Sequence, residues 1–399
     1  MFPAEPPALR LCGTERRIAD ALRRLGPATR ADVSAATQLS RATVSAGLSA
    51  LLEAGLVVET SGAAPVGPAG GRPPGLVRLA PRAGLAVGVD VGRTHLRVAV
   101  ADLGHHVLGE RSVRLEHGTP AGEVLDGAAD LVGTGLAAAG AGLASVLGVG
   151  LGLPAPVDQR SGTISASNIL PEWAGLAAGE QLAARLGRPV IVDNDANLGA
   201  LAETLWGAGR GIDTLAYVKV ATGIGAGLVL DGKLFRGVSG QAGEIGHVTL
   251  DEHGDVCRCG NRGCLELVAG GAALVAALRR THGELDSVEH VVALAAGGDR
   301  AARRLIADAG AHLGVAAAGL VNLVDPQRLI VGGELGRAGD VLLEPLRRSL
   351  RRSTVRPATD AVEVVCSELG DRSEVLGAVA VVLRELDRAR PAPVHTATY

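Results

Sequence analysis

The chain has 399 residues, a hydrophobic fraction of 47% and a charged fraction of 20%. This composition excludes a disordered protein and allows two or three packed domains. The net charge of −3 hides an asymmetry, because residues 1–82 carry ten arginines and six acidic residues while the remainder is acidic. A basic head on an acidic body favours a nucleic-acid-binding module joined to a ligand-binding domain. The sequence shows neither a signal peptide nor a bulky apolar span, which predicts a cytoplasmic protein that does not bind membranes.

Residues 14–59 show the pattern of three short helices followed by a strand. Thr29 and Ser40 are suited to cap the second and third helices, and apolar residues recur at helical spacing within each segment. A tight turn before the third helix and a strand after it favour a winged helix-turn-helix that binds double-stranded DNA; an unrelated three-helix bundle is the alternative. The residues expected to reach base edges or phosphates begin the third helix: Ser40, Arg41, Thr43 and Ser45.

The segment that follows, residues 61–75, is rich in glycine and proline. A strand at residues 76–79 could pair with residues 56–59, which would make this segment the wing of a β-hairpin and place Arg72 to enter a minor groove. A bare linker is an equal alternative for Arg72. Together these features predict a DNA-binding domain over residues 1–80.

Four candidate metal ligands lie close together in the segment 247–264, called the metal loop below. Three of the five cysteines in the chain fall within eight positions, and a histidine precedes them at the spacing H-x9-C-x-C-x4-C. An odd number of thiols in a reducing compartment disfavours disulfides, whereas three thiolates and an imidazole form a closed tetrahedral set that suits Zn²⁺. The predicted ligands of a structural zinc ion are His247, Cys257, Cys259 and Cys264.

Two glutamates flank the metal loop. Glu244 lies three residues before its histidine, and Glu266 lies two residues after its last cysteine. If a metal ion holds both ends of the loop, these carboxylates become fixed acceptors that suit a hydroxyl-rich ligand. The alternative is that both are solvated loop acids.

The run G-E-I-G-H followed by C-R-C-G-N-R-G-C-L-E resembles the signature of the ROK family, which comprises repressors, open reading frames and sugar kinases. The resemblance extends from about Leu85 to about Glu385, and the Gly-Arg-Pro-Pro run of the head also precedes the second domain in many ROK repressors. It implies an α/β, two-lobed, actin-like (RNase H-like) ATPase-type fold over residues 84–388. Residues 389–399 lack periodicity, which predicts a disordered tail.

Two hairpins with glycine-rich turns resemble the phosphate loops of actin-like kinases, and a later Gly-Gly turn resembles their nucleotide-side segment. The G-x-G-x-G spacing of the second hairpin could indicate a dinucleotide fingerprint, but that fingerprint requires a following helix, whereas a strand is predicted here. The residues that resemble phosphate or nucleotide contacts are Asp90, Gly92, Thr94, Thr222, Gly223, Gly225, Gly332 and Gly333.

A predicted strand that ends near residue 194 resembles the sugar site of the kinase relatives. In those relatives the residue that corresponds to Asn194 binds the sugar. The residue that corresponds to Asp195 is the general base that takes a hydroxyl proton before phosphoryl transfer. An Asn-Asp pair at this place can also serve as a helix N-cap. The expected sugar ligands are Asn168, Asn194, Asp195, Glu244, His247 and Glu266.

One position departs from the kinase pattern. The relatives usually read Asp-x-Gly-Gly-Thr in the first loop, and here Arg93 replaces the second glycine. Its side chain fills a place where the backbone must approach a phosphate, which predicts that the ATP- and Mg²⁺-dependent kinase activity is lost. The second glycine-rich loop is intact, which favours retention of that activity.

The leading hypothesis is therefore a sugar-responsive transcriptional repressor of carbohydrate metabolism genes, active as a homodimer or homotetramer on an operator. The alternative is an ATP-dependent, glucokinase-like sugar kinase with Asp195 as general base.

Overall fold

A computed structural model describes most of the chain. The described residues are 13–60, 75–80, 84–116, 118–158, 161–164, 170–355 and 361–388. The wing or linker with Arg72, the candidate sugar ligand Asn168 and the tail 389–399 lie outside the described residues.

The head is a winged helix-turn-helix, as the sequence predicts. Its elements are α1 (Gly13–Leu25), β1 (Ala28–Thr29), α2 (Arg30–Thr37), α3 (Arg41–Glu53), β2 (Val57–Thr60) and β3 (Leu76–Leu79). Thr29 and Asp32 cap α2 reciprocally, each side chain accepting a hydrogen bond from the backbone N–H of the other. Ser40 caps α3 by accepting from the N–H of Thr43 at 3.1 Å. The strands form a small antiparallel sheet in the order β1-β3-β2.

The first lobe is a mixed five-stranded sheet covered by two helices on its outer face. Its elements are β4 (Leu85–Val91), β5 (His95–Asp102), β6 (Val107–Arg114), α4 (Ala121–Ala138), β7 (Val146–Leu153), α5 (Ala178–Leu186) and β8 (Val190–Asn194). The strand order is β6-β5-β4-β7-β8, antiparallel on the β6 side and parallel on the β8 side. Every residue of β4 is buried, which is typical of a strand covered on both faces.

The second lobe repeats this architecture with more helices. Its strands are β9 (Leu215–Val220), β10 (Ile224–Leu230), β11 (Lys233–Phe235), β12 (Arg328–Gly332) and β13 (Glu363–Cys366), in the order β11-β10-β9-β12-β13. Its helices are α7 (Glu266–Ala269), α8 (Gly271–His282), α9 (Val288–Ala296), α10 (Arg300–Val324) and α11 (Asp340–Ser353). Among the described helices α10 alone is long and apolar enough to cross a membrane, and half of its most apolar stretch is buried in the core of this lobe.

Two helices, α6 (Asp195–Trp206) and α12 (Ser373–Arg388), pack against each other between the sheets. A side chain on Gly377 of α12 would overlap the backbone of Leu198 in α6, and one on Gly150 of β7 would overlap the backbone of Ala378. The close approach of helix to helix and helix to strand therefore requires glycine at both positions. Two glycine-turn hairpins, one in each lobe, face each other across the cleft that results, and the predicted α/β, actin-like architecture is confirmed.

Candidate functional site

A cleft between the lobes brings together most of the predicted site residues. It encloses about 670 Å³, including the open solvent at its mouth. The predicted residues that line it are Gly92, Thr94, Asn194, Asp195, Thr222, Gly223, Gly225, Glu244, His247 and Glu266. Residues separated by up to 174 positions in sequence thus share one surface, because both glycine turns and the start of α6 open onto the same cleft.

The end of β8 and the start of α6 form the floor of the cleft. The Asn194 side chain caps α6, accepting from the N–H groups of Ala196 at 3.0 Å and Asn197 at 3.3 Å. The helix therefore begins at Asp195. Asp195 is held from two sides, because one oxygen accepts from Ala196 N–H at 2.7 Å and the other from the Lys219 ammonium at 2.8 Å.

The first glycine turn lies against the cleft, but its acid does not. Asp90 is fully buried beneath the turn, where one carboxylate oxygen contacts His95 Nε2 at 2.9 Å. Burial raises the pKa of Asp90, but the hydrogen bond and charge of His95 outweigh that and leave it below its usual value. The His95 ring occupies the space next to Gly92, where any Cβ would collide with it.

The predicted nucleotide-side glycines do not line the cleft. Gly332 packs against the Tyr217 ring, and Gly333, with a φ of 77°, packs against the backbone of Val220. The next residue, Glu334, lines the cleft instead. At this turn the glycines allow close packing, and the acid beside them faces the ligand space.

Glu266 joins the metal loop to the second glycine turn. One of its oxygens accepts from Ile224 N–H at 3.1 Å and the other from Arg258 at 2.5 Å. A side chain at Gly223 would collide with this carboxylate. Across the cleft, burial and the negative charges of Asp195 and Glu266 raise the pKa of Glu244 to about 7, so this carboxyl can donate as well as accept hydrogen bonds near neutral pH.

The four predicted metal ligands converge. One ligand atom from each of His247, Cys257, Cys259 and Cys264 lies within 4.8 Å of all the others. The His247 Nδ1 to Cys257 Sγ distance is 3.6 Å, and the Cys259 and Cys264 sulfurs are 3.7 Å apart. These separations are close to the edges of a tetrahedron around zinc, about 3.5 Å between nitrogen and sulfur and about 3.8 Å between two sulfurs for bonds of about 2.0 Å and 2.3 Å. A disulfide would require about 2.05 Å between sulfurs.

The protonation of the cluster also fits a metal ion. Burial and the neighbouring sulfurs raise the pKa of the Cys264 thiol to about 12. Three adjacent thiolates therefore need a cation to be deprotonated together at neutral pH. His247 directs Nδ1 toward the cluster, while its Nε2 lies 3.9 Å from Glu244 on the cleft side. This histidine connects the cluster to the cleft.

The structure adds cleft residues that the sequence analysis did not single out: His95, Lys219, Arg258 and Glu334. Lys219 could not be found from periodicity, because all six residues of β9 are buried and no alternation shows which face each occupies. Arg258 could have been predicted as a site residue from the sequence, because it lies between the first two cysteines of the metal loop.

In the head, the candidate DNA-contacting residues differ in exposure. Arg41 and Ser45 are exposed at the start of α3, while Thr43 is half-buried and hydrogen-bonded to Ser40 at 2.8 Å between their hydroxyl oxygens. Ser40 is exposed, but its hydroxyl is engaged as the helix cap. Arg30 adds a second cation to this surface, 3.3 Å from the Ser45 hydroxyl.

The fold and the cysteine–histidine cluster define a two-lobed, actin-like domain of the kinase type, preceded by a DNA-binding head. The chain belongs to the ROK family, whose profile matches residues 86–385, and the predicted family membership is confirmed. The profile described as bacterial regulatory protein, arsR family, matches residues 12–58.

Relatives include both repressors and kinases. The chain is 30% identical over 371 residues to a xylose repressor of Caldicellulosiruptor bescii, covering 90% of this chain and 92% of that protein. A ROK family transcriptional regulator, described as a homolog of the E. coli MLC protein, superposes with a TM-score of 0.75 at 28% identity, covering 93% of this chain and 95% of that one. A ROK glucokinase from Streptomyces griseus, solved with glucose and AMPPNP, gives a TM-score of 0.65 at 30% identity and covers 75% of this chain and 99% of that one.

We expect the purified protein to retain about one zinc ion per chain after dialysis, as a closed four-ligand site should. Replacing one thiolate, in Cys259→Ser, should lower the zinc content and weaken any ligand response, because Glu244 and Glu266 lose their common anchor. Metal analysis by mass spectrometry measures the first effect and calorimetry the second.

The matched control is Cys366→Ser, which removes an exposed thiol on β13 outside the cluster and should leave zinc content unchanged. Full zinc occupancy in Cys259→Ser would contradict the assignment of these ligands.

Proposed function

We propose that the protein is a cytoplasmic, sugar-responsive transcriptional repressor with a zinc-stabilised sugar site. The winged helix would bind an operator in double-stranded DNA, and the cleft would bind a sugar through Asn194, Asp195, Glu244, His247 and Glu266. The similarity to repressors along about nine-tenths of the chain supports this proposal, since kinase relatives match only the body. Xylose is the first sugar to test, because the repressor quoted above is named for it.

The observation that carries the proposal is a hydrophobic core shared by the head and the body. Apolar side chains of α1 and α3 belong to the same buried cluster as residues of β5, α6 and α12. The cluster includes Ile18, Leu22 and Leu48 of the head and Leu103, Leu198, Leu201 and Val379 of the body. Packing of this kind would restrict movement of the head relative to the helices behind the cleft, whereas a free linker would not.

Specific contacts connect the cleft to the head. Helix α6 begins in the cleft at Asp195 and ends at Trp206, whose indole N–H donates to the carbonyl of His105 at 3.1 Å. The two rings also meet edge to face, with centroids 5.9 Å apart. Two residues before His105, the carbonyl of Leu103 accepts from Arg23 of α1 at 3.0 Å. A ligand that shifts α6 would therefore move the turn on which α1 rests.

A dimer completes the proposal. One winged helix reads only a short half-site, so specific repression requires two heads on a pseudo-palindrome. We propose that the body supplies a homodimer or homotetramer, and that lobe closure on sugar changes the spacing of the heads. Ligand can change DNA affinity only through its different affinity for the two states.

A sugar kinase is the second candidate. The Thr222-Gly223-Ile224-Gly225 turn and the position of Asp195 at the cleft floor favour it. Arg93 opposes it, because its side chain lies in the cleft, where burial and the charge of Arg258 lower its pKa. A coupled assay with ATP, Mg²⁺ and a panel of sugars separates the two functions, and robust turnover would favour the kinase.

We expect Asp195→Ala to weaken sugar binding at least several-fold, because loss of a buried charged partner costs about 1–3 kcal/mol. Isothermal titration calorimetry measures the affinity. Asp130→Ala, on the exposed face of α4, removes the same charge away from the cleft and is the control. Equal affinities for both variants and the wild type would place the sugar elsewhere.

We expect Arg41→Ala to weaken operator binding by about 1–3 kcal/mol while leaving sugar affinity intact, because its side chain is exposed on the DNA-facing turn of α3. Gel-shift titrations at physiological salt measure the change. The control is Arg304→Ala, which removes the same charge from an exposed arginine of α10. Among the described residues, Arg304 pairs only with Asp308. Equal losses in both variants, or no sequence preference in the wild type, would contradict the repressor proposal.

We expect Trp206→Phe to reduce the effect of sugar on operator affinity, since phenylalanine keeps a ring but cannot donate to His105. Mutations along a coupling network change the coupling by about 0.5–2 kcal/mol. Operator affinity is measured with and without saturating sugar. An unchanged ratio of these affinities, with normal sugar binding, would exclude this contact from the coupling.

A further inference from the structure

Lys219 places a positive charge inside the cleft floor. Its side chain, on β9, is 10% exposed, and its ammonium lies 2.8 Å from an Asp195 oxygen and 3.7 Å from a Glu374 oxygen. The same Glu374 oxygen accepts from the Tyr217 hydroxyl at 2.9 Å. The ammonium thus bridges the first residue of α6 and the first turn of α12.

Two further carboxylates, Asp90 and Glu334, add negative charge to the surroundings of this ammonium. Asp90 and Glu334 each have one buried oxygen with no hydrogen-bond partner among the described residues. Burial lowers the pKa of Lys219, but the charges of Asp195, Glu374, Asp90 and Glu334 raise it well above its usual value. The ammonium therefore pairs with two carboxylates, Asp195 and Glu374, and the negative charges of Asp90 and Glu334 stabilise it further.

We infer that Lys219 is a tethered cation that takes the place of a divalent metal ion among these carboxylates and makes the cleft a site for binding without phosphoryl transfer. Mg²⁺ in phosphoryl-transfer sites is usually held by one or two carboxylates together with waters and substrate phosphates. A lysine ammonium supplies part of the same positive charge but has no open coordination positions for phosphate oxygens.

Lys219 would block phosphoryl transfer in two ways. Transfer to a sugar hydroxyl needs metal ions that neutralise the phosphates and a carboxylate free to accept the hydroxyl proton. Lys219 competes with the metal ion for the carboxylates, and it donates a hydrogen bond to the Asp195 oxygen that would take the proton. Asp195 then serves as a fixed acceptor for a sugar hydroxyl. This role rests on the proposed function, because it explains how a kinase-type cleft senses a sugar without consuming it.

The test compares Lys219→Met, which removes the charge at similar length, with Lys219→Arg, which keeps it. Zinc-loaded protein, without chelator, is titrated with MnCl₂ by calorimetry and melted with and without MgCl₂. We expect Lys219→Met to bind Mn²⁺ on the order of tenfold more tightly than the wild type, or better, and to be stabilised more by Mg²⁺. Lys219→Arg should behave like the wild type. An unchanged metal response in Lys219→Met would overturn the inference.

Two further measurements apply if Lys219→Met does not fold. The double variant Lys219→Met/Glu374→Gln removes one negative charge with the positive one, and it should still bind Mn²⁺ more tightly than the wild type. Mn²⁺ binding by the wild type that Asp195→Asn abolishes would overturn the inference, because the metal site would then coexist with Lys219. Sugar and DNA binding of the wild type are measured separately, so failure of the proposed function is distinguishable from failure of the metal test.

Discussion

The packing of α6 against α12 is the constraint on which the rest of the molecule depends. Gly377 allows the two helix backbones to meet at Leu198, and Gly150 allows α12 to lie directly on β7. This pair connects both lobes, since α6 packs on β9 and β10 while α12 packs on β4 and β7. The cleft lies at the end of the pair where Asp195 begins α6, and Glu374 of α12 is buried beneath it, 3.7 Å from the Lys219 ammonium. The hydrophobic core shared with the head extends along its length.

Glu266 attaches the metal loop to the same frame. Glu266 begins α7 directly after the loop, and it accepts hydrogen bonds from Ile224 in the second glycine turn and from Arg258 within the loop. A metal ion held by the four ligands would fix this carboxylate and His247 together. With a metal ion bound, the cluster would act on the cleft through geometry, by orienting residues that face the ligand space.

The cleft holds more buried charge than stability alone favours. Buried ion pairs such as Lys219–Asp195 repay their desolvation only with good geometry, and apolar replacements of similar volume are often as stable. Burial also raises the pKa of Glu374 to about 7, so this carboxyl is only partly ionised near neutral pH. Charges kept at such a cost are expected where a site binds polar ligands.

The sequence by itself determined the parts of this protein that depend on short-range spacing. The metal ligands lie within 18 consecutive residues, and the capped helices of the head follow from Thr29 and Ser40. Both glycine turns could also be identified, because a turn and its flanking strands are contiguous in the chain.

Only the tertiary structure decided which of these residues meet. Asp90 lies beneath the cleft, and Gly332 and Gly333 pack against Tyr217 and Val220. Lys219 and Glu334 line the cleft, although the sequence analysis did not predict them as site residues. The contact from Trp206 to His105 joins residues about a hundred positions apart. Strands buried on both faces carry no alternation to show where a side chain points, so these contacts depend on how the two lobes pack around α6 and α12.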